Sequence, residues 1–220
     1  MENLHGAIFD LDGTLLDSMG IWRKIDVDFL GKRGIEMTPD YPEEITALDS
    51  RSAAEYTIRR YGFADTPEML MKEWNGMCWE AYHHTVQLKP GAEELVKRLF
   101  ACSVKIAAAT ALAEELFLPA LRRLRLADCF SAFACCNEVT RGKGSPDVYL
   151  LAAERIGVIP QNCIVFEDIL AGVRSAKQAG FSVCGVFDES SKQDWQNICS
   201  EADFAVRNFS QAERLLFENK

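Results

Sequence analysis

Five short apolar runs divide the chain and predict the strands of a buried sheet. Each run is almost uniformly apolar and is bounded by polar or glycine-rich turns, which is typical of parallel strands covered on both faces. The runs are HGAIFD at 5–10, VKIAAAT at 104–110, SAFACC at 131–136, NCIVFED at 162–168 and FSVCGVF at 181–187.

Helical patterns lie between these runs and complete an alternation of strand and helix. The segment PGAEELVKRLFAC opens with Pro90, which is favoured in the first turn of a helix. The segments SPDVYLLAAERIGV and LAGVRSAKQAGF each end at a glycine, Gly157 and Gly180, and glycine commonly terminates helices. This alternation predicts an α/β fold with a doubly wound parallel sheet of the Rossmann type.

The stretch 16–88 breaks that alternation, because its apolar positions recur at helical spacing and no strand is evident in it. In its last helical segment Thr66 is the expected N-cap, and Pro67 occupies the first helical position. We therefore predict an all-helical domain inserted after the first strand. The predicted helical segments are 18–33, 50–62 and 66–86.

This pattern predicts two domains. Residues 1–15 and 89–220 form the Rossmann-like core, and residues 16–88 form the inserted helical domain, with hinges near Leu16 and Leu88.

Bulk composition excludes several classes of partner. The net charge of −9 repels nucleic acid and anionic lipid, and no cluster of lysine and arginine overrides it locally. The N-terminal residues show no secretory signal pattern, and no 18 consecutive residues are apolar. We expect a soluble cytoplasmic protein with no nucleic-acid or membrane partner; its oligomeric state does not follow from the sequence.

The 8 cysteines form no C-x-x-C pair, and several lie in apolar segments. We expect buried, reduced thiols and no disulfide framework.

Polar side chains end the predicted strands, and ligands bind at that edge of an open parallel sheet. Asp10 and Asp12 are two residues apart in an extended segment, so both face one small volume. Four carboxylates against one ammonium make this edge too negative for an anion unless a hard divalent cation joins them, and oxygen ligands suit Mg²⁺. Mg²⁺ in turn attracts phosphate. The predicted site comprises Asp10, Asp12, Thr110, Lys143, Glu167 and Asp168.

The order of these motifs resembles that of the haloacid dehalogenase superfamily. The matching features are the segment DLDGT at 10–14, the strand-terminal Thr110, the loop lysine Lys143 and the pair Glu167 and Asp168. The segments VFEDILAGVRSAKQAG and GKGSPDVYL are similar to the branch that holds β-phosphoglucomutases and small phosphatases, in which a helical cap follows the first motif. The resemblance covers essentially the whole chain.

This resemblance implies a phosphoric monoester hydrolase. Asp10 would attack phosphorus and form an aspartyl-phosphate, and Asp12 would protonate the leaving oxygen and then activate water. Lys143 and the Thr110 hydroxyl would bind the phosphoryl group, together with backbone N–H groups of residues 11–14. Mg²⁺ would be held by Asp10, the backbone carbonyl of Asp12 and Asp168, with Glu167 bound directly or through water. The implied substrate is a small phosphorylated metabolite, for example a sugar phosphate.

Some positions depart from the pattern of the family. Gly144 stands where many relatives have proline, and Ala111 and Ile169 stand where serine is frequent. Trp22 occupies the position where β-phosphoglucomutases usually carry a cap histidine, which disfavours a mutase. Dehalogenation is disfavoured because Asp12 is present. A phosphomutase and a non-catalytic phosphometabolite-binding protein remain the alternatives to a phosphatase.

Overall fold

A computed structural model describes residues 4–46, 48 and 50–218 of the chain, so the extreme ends of the predicted core lie outside it. The chain divides into two compact units. One comprises residues 4–18 and 86–218, and the other comprises the described residues between 19 and 85.

The larger unit holds every strand of the described residues, and the smaller unit is helical. The strands are β1 (Gly6–Phe9), β2 (Leu16–Asp17), β3 (Gln87–Leu88), β4 (Lys105–Thr110), β5 (Ala132–Cys135), β6 (Cys163–Glu167), β7 (Ser182–Val186) and β8 (Phe204–Val206). The helices are α1 (Met19–Gly31), α2 (Tyr41–Thr46), α3 (Ser50–Tyr61), α4 (Pro67–His84), α5 (Ala92–Ala101), α6 (Glu114–Arg123), α7 (Asp147–Ile156), α8 (Leu170–Gln178), α9 (Trp195–Glu201) and α10 (Phe209–Phe217).

Within the described residues, six strands form one sheet in the order β5-β4-β1-β6-β7-β8, and every neighbouring pair is parallel. The predicted doubly wound parallel sheet is therefore confirmed. The chain builds outward from β1 in one direction through β4 and β5, and in the other through β6, β7 and β8. The order reverses between β1 and β6, and ligands bind beside the carboxyl ends of the strands at such a point.

Alternate residues of the central strands pack on opposite faces of the sheet. Ile8 and Val165 belong to the core cluster that also contains Tyr149 of α7 and Val173 of α8. Phe9, the next residue after Ile8, stacks on Phe166 of β6 with ring centroids 4.5 Å apart. Because both faces are buried, these strands are apolar at almost every position, which explains the uniform runs in the sequence.

The same stacked pair continues into α10. The ring centroids of Phe9 and Phe166 lie 6.0 and 5.7 Å from that of Phe209. Aromatic packing therefore joins the sheet to the last helix of the chain, and it holds the carboxyl ends of β1 and β6 side by side.

The expectation of no strand within 16–88 is wrong at both ends of that stretch. Leu16 pairs with Leu88 and Asp17 pairs with Gln87, in a short antiparallel ladder. These residues group with the larger unit, whereas the helical unit begins at Met19 and ends at Thr85. Strands of two residues carry no readable alternation, so only the pairing of distant segments reveals them.

The helical unit has its own apolar core, to which Phe29 and Leu30 of α1, Ala54 of α3 and Leu70 of α4 contribute. The predicted start of α4 is confirmed, because Thr66 accepts a hydrogen bond from the Met69 N–H and Pro67 follows it.

The expectation of buried cysteines holds for Cys78, Cys135, Cys163 and Cys184 but not for the other four. Cys102 and Cys199 are exposed, because they lie near the outer ends of α5 and α9. Among the helices described, none combines the length and the apolar composition that crossing a bilayer requires.

A buried ion pair links the chain where it re-enters the larger unit to the segment after β7. Lys89 and Asp188 are 8% and 6% exposed, and Nζ lies 2.6 Å from Oδ2. The Lys89 ammonium also donates to the Phe187 carbonyl at 2.8 Å. Burial by itself raises the pKa of Asp188, but hydrogen bonds from Lys89 and Ser190 lower it by more, so the net shift is downward.

We predict that Lys89→Met lowers the free energy of unfolding by about 3–5 kcal/mol, because it leaves the Asp188 carboxylate buried without its cation. Urea denaturation at pH 7 measures this change. Lys177→Met is the control, because it removes the more exposed ion pair of Lys177 and Asp203. It should lower the free energy of unfolding by under about 1 kcal/mol.

The pair also predicts an acid dependence. The pKa of Asp188 is lowered in the folded state, so its stabilisation is present above the unfolded value of about 4 and is lost as pH falls through the lower folded value. Urea denaturation between pH 5 and 2 should show that the free energy of unfolding falls more steeply with decreasing pH for wild type than for Asp188→Asn. Equal dependence of the unfolding free energy on pH in the two proteins would show that the Lys89–Asp188 pair does not couple stability to pH.

Candidate active site

The site lies at the carboxyl edge of the sheet, where β1 and β6 end. Asp10 follows the last residue of β1, and its backbone N–H donates to the Phe166 carbonyl of β6 at 3.0 Å. That bond extends the pairing of the two strands by one residue. Glu167 ends β6 and Asp168 follows it, so the two strand ends bring these carboxylates together.

Three carboxylates form a compact buried cluster there. Asp10, Glu167 and Asp168 each offer an oxygen, and these oxygens all lie within 4.8 Å of one another. The three residues are 2%, 0% and 2% exposed, respectively. Water therefore screens their mutual repulsion poorly, and a cation is required if all three are to be ionised.

Lys143 supplies the positive charge within the cluster. Its ammonium contacts Asp10 Oδ1 and lies 3.0 Å from Glu167 Oε2. Burial lowers the pKa of Lys143, but the carboxylates of Asp10 and Glu167 raise it by more, so the lysine remains protonated. One ammonium does not balance three carboxylates, and an excess of negative charge remains.

The pKa values of Glu167 and Asp168 are both raised in this buried, negatively charged cluster. Burial raises the pKa of Asp168 well above its usual range, and the carboxylates of Asp10 and Glu167 raise it further. Burial also raises the pKa of Glu167 to about 7, even though Lys143 opposes that shift.

Neighbouring residues fix the orientation of several of these groups. The Thr14 hydroxyl donates to Asp168 Oδ1 at 2.7 Å, across 154 positions of sequence. The Ser175 hydroxyl of α8 donates to the backbone carbonyl of Lys143 at 2.7 Å and holds the lysine loop. Neither hydroxyl was predicted from the sequence to belong to the site. Thr14 lies inside the DLDGT segment, which was an available signal, whereas nothing local marks Ser175.

Asp12 lies apart from the carboxylate cluster. Its side chain is half-buried and accepts a hydrogen bond from the Ser18 hydroxyl at 2.6 Å. The Asp12 carboxylate is therefore not one of the three that form the compact cluster. Ser18 is buried and was also not selected from the sequence.

Thr110 ends β4, the strand beside β1, and it is fully buried. Its hydroxyl oxygen accepts the Leu112 N–H at 3.1 Å, so the hydroxyl hydrogen remains available as a donor.

The turn after β1 already uses two of its backbone donors. Gly13 has a φ of 77°, a left-handed conformation that suits glycine, and its N–H donates to the Leu16 carbonyl at 3.1 Å. The Thr14 N–H donates to the Leu11 carbonyl at 3.3 Å. Of the predicted phosphate donors in this turn, these two N–H groups are therefore engaged within the turn itself.

The donor set fits a hard divalent cation. The ligand atoms are carboxylate oxygens held close together, and the negative charge in excess of Lys143 matches the charge that such an ion carries.

Comparisons with known proteins match most of the chain. The family model described as haloacid dehalogenase-like hydrolase matches residues 7–186. The phosphorylated carbohydrates phosphatase of Thermotoga maritima is 28% identical over 177 residues, covering 80% of this chain and 82% of its own. Hexitol phosphatase A of Escherichia coli K12 is 28% identical over 211 residues, covering 94% of this chain and 92% of its own.

Solved structures share the fold over the whole chain. A Thermotoga maritima protein, whose crystal structure carries a provisional beta-phosphoglucomutase assignment, superposes with a TM-score of 0.84 at 26% identity. The superposition covers 99% of this chain and 100% of that one.

The crowded carboxylates predict that the metal-free protein loses thermal stability as pH rises. The raised pKa of Glu167 means that its protonated form stabilises the fold below the unfolded value, and this contribution is lost as pH rises through about 7. Added Mg²⁺ should therefore raise the Tm more at pH 8 than at pH 5.5. Calorimetry with EDTA or with Mg²⁺ at both pH values measures this.

Asp168→Asn is the matched variant, because it keeps the shape of the side chain and removes one carboxylate charge. It should flatten the decline of Tm with pH and abolish most of the shift caused by Mg²⁺. A metal-free wild type whose Tm is constant across this range, with equal Mg²⁺ shifts at both ends, would contradict the prediction.

Proposed function

Because the chain belongs to the haloacid dehalogenase-like hydrolase family, we propose that it is a Mg²⁺-dependent phosphatase that hydrolyses a small phosphorylated metabolite, such as a sugar phosphate. The observation that carries the proposal is the buried cluster of Asp10, Glu167 and Asp168 with Lys143 at the point where strand order reverses. The names of the two phosphatase relatives, which specify phosphorylated carbohydrates and hexitols, support the substrate class.

In the proposed reaction, Asp10, the backbone carbonyl of Asp12 and Asp168 would hold Mg²⁺, with Glu167 bound directly or through water. When bound, the cation supplies positive charge that neutralises the phosphate oxygens.

Asp10 is the proposed nucleophile. One carboxylate oxygen attacks phosphorus, an oxygen–phosphorus bond forms to Asp10, and the bond from phosphorus to the alcohol oxygen breaks. The contact with Lys143 supports this role, because the ammonium places a positive charge beside the attacking carboxylate in a buried site.

Asp12 is the proposed acid and base. Its carboxyl group gives a proton to the departing alcohol oxygen, and the resulting carboxylate then takes a proton from the water that attacks the aspartyl-phosphate. The second step releases inorganic phosphate and regenerates Asp10. The position of Asp12 outside the carboxylate cluster supports the assignment, because its side chain is not committed to the cation.

Lys143 and Thr110 are the proposed phosphoryl-binding side chains. The Lys143 ammonium stabilises charge as it shifts between Asp10 and the phosphoryl oxygens, and the Thr110 hydroxyl donates to one of those oxygens. We further propose that the helical unit, residues 19–85, is a cap that determines which metabolite is accepted.

The direct test measures phosphate release from p-nitrophenyl phosphate and from a panel of sugar and polyol phosphates, with Mg²⁺ or with EDTA. We expect release only with Mg²⁺, and we expect Asp10→Asn to reduce kcat by about 10³-fold or more. Asp17→Asn removes an exposed carboxylate seven residues later and serves as the control with unchanged activity. Activity that survives Asp10→Asn would exclude the aspartyl-phosphate route.

The phosphomutase alternative makes a different prediction in the same preparation. Phosphorus NMR with a sugar 1-phosphate would show rapid conversion to the 6-phosphate and slow release of phosphate, whereas the phosphatase gives inorganic phosphate as the main product. Binding of a sugar phosphate without any turnover would favour the non-catalytic alternative.

A further inference from the structure

Tyr149 contacts the candidate metal site without belonging to it. It lies on α7 and is fully buried, and its hydroxyl donates to Glu167 Oε2 at 2.9 Å. A phenylalanine would fill nearly the same volume in this apolar cluster, so packing alone does not require the hydroxyl. The partner of this hydroxyl is the Glu167 carboxylate.

The Tyr149–Glu167 pair is confined by α8. A Cβ atom placed on Gly172 would lie 2.6 Å from Glu167 Cδ and 2.6 Å from the Tyr149 hydroxyl oxygen. No side chain fits there unless the pair moves. Gly172 thus lets the helix close over the carboxylate, and the carboxylate has little freedom to rotate.

The two carboxylate oxygens of Glu167 have hydrogen bonds of different length. Oε2 accepts from Tyr149 at 2.9 Å and from the Lys143 ammonium at 3.0 Å. The contacts of Oε1 are longer, 3.4 Å to the Lys143 ammonium and 3.4 Å to the Ile169 N–H. Because both contacts of Oε1 are long and therefore weak, Oε1 is the oxygen with more capacity for a further partner.

We propose that Tyr149 is a positioning residue that holds Glu167 Oε2 so that Oε1 faces the divalent cation or a water bound to it. The inference rests on the proposed function, which places a cation at Asp10, Glu167 and Asp168. Hydrogen bonds that orient the ligands of a metal commonly change its affinity by 10-fold or more, because a free carboxylate must otherwise be ordered when the ion binds.

The test is Tyr149→Phe, which removes only the hydroxyl. Binding of Mn²⁺ to the metal-free protein is measured by electron paramagnetic resonance, without any turnover. We expect the dissociation constant to rise about 10-fold. In activity assays the Mg²⁺ concentration for half-activation should rise by a similar factor, while KM for substrate at saturating Mg²⁺ stays within about twofold of wild type.

Two further variants separate positioning from general loss of structure. Tyr41→Phe removes a buried hydroxyl that bonds to Thr57 at 2.9 Å within the helical unit, and it should leave Mn²⁺ affinity unchanged. Gly172→Ala forces Glu167 and Tyr149 apart and should weaken Mn²⁺ binding at least as much as Tyr149→Phe. If Tyr149→Phe does not fold, Gly172→Ala keeps the proposal falsifiable, because unchanged Mn²⁺ affinity with the Tyr149–Glu167 pair displaced would overturn it.

Unchanged Mn²⁺ affinity in a folded Tyr149→Phe protein would overturn the inference, even if its unfolding free energy were lower. This outcome differs from a failure of the proposed function. If the proposed function fails, the wild-type protein itself shows no metal-dependent release of phosphate. If only the inference about Tyr149 fails, the wild-type protein is active and Tyr149→Phe binds Mn²⁺ as tightly as wild type does.

Discussion

The mutual repulsion of three buried carboxylates is the constraint around which the carboxyl edge of the sheet is organised. Asp10, Glu167 and Asp168 are removed from water, and the ammonium of Lys143 offsets only part of their negative charge. Such an arrangement costs folding free energy unless protons or a cation neutralise the excess charge. The chain tolerates this cost because the rest of the core is densely apolar, including the stacked rings of Phe9 and Phe166 directly beneath.

The strained cluster is held by contacts from several separate elements. A turn after β1 supplies the Thr14 hydroxyl to Asp168, α8 supplies the Ser175 hydroxyl to the lysine loop, and α7 supplies Tyr149 to Glu167. Since each side chain is fixed by a different part of the chain, the site is preorganised by the whole core. Preorganised charge is what phosphoryl transfer requires, because the phosphoryl group changes its bonding with little help from covalent chemistry.

The helical unit has an apolar core of its own. Its aromatic core contains Phe29 and Trp74, whose ring centroids lie 5.4 Å apart, and the Arg33 guanidinium lies 4.0 Å from the Phe29 centroid. A unit with its own core can change its surface without disturbing the carboxylates of the larger unit. This separation fits the proposal that the reaction belongs to the core and substrate choice to the cap, since one fold commonly serves several substrates by local variation.

The sequence by itself determined the alternation of buried strands and helices, the start of α4 at Thr66, and the meeting of Asp10 with Glu167 and Asp168, because all of these follow from local periodicity and from strand direction. It did not reveal β8 (Phe204–Val206) or the two-residue ladder of β2 and β3, since segments this short carry no periodicity. Only the tertiary structure decided that Thr14 bonds to Asp168 and Tyr149 to Glu167, and how far burial raises the carboxylate pKa values. Hydrogen-bond partners and desolvation depend on residues that are distant in the chain, and a local pattern contains no record of them.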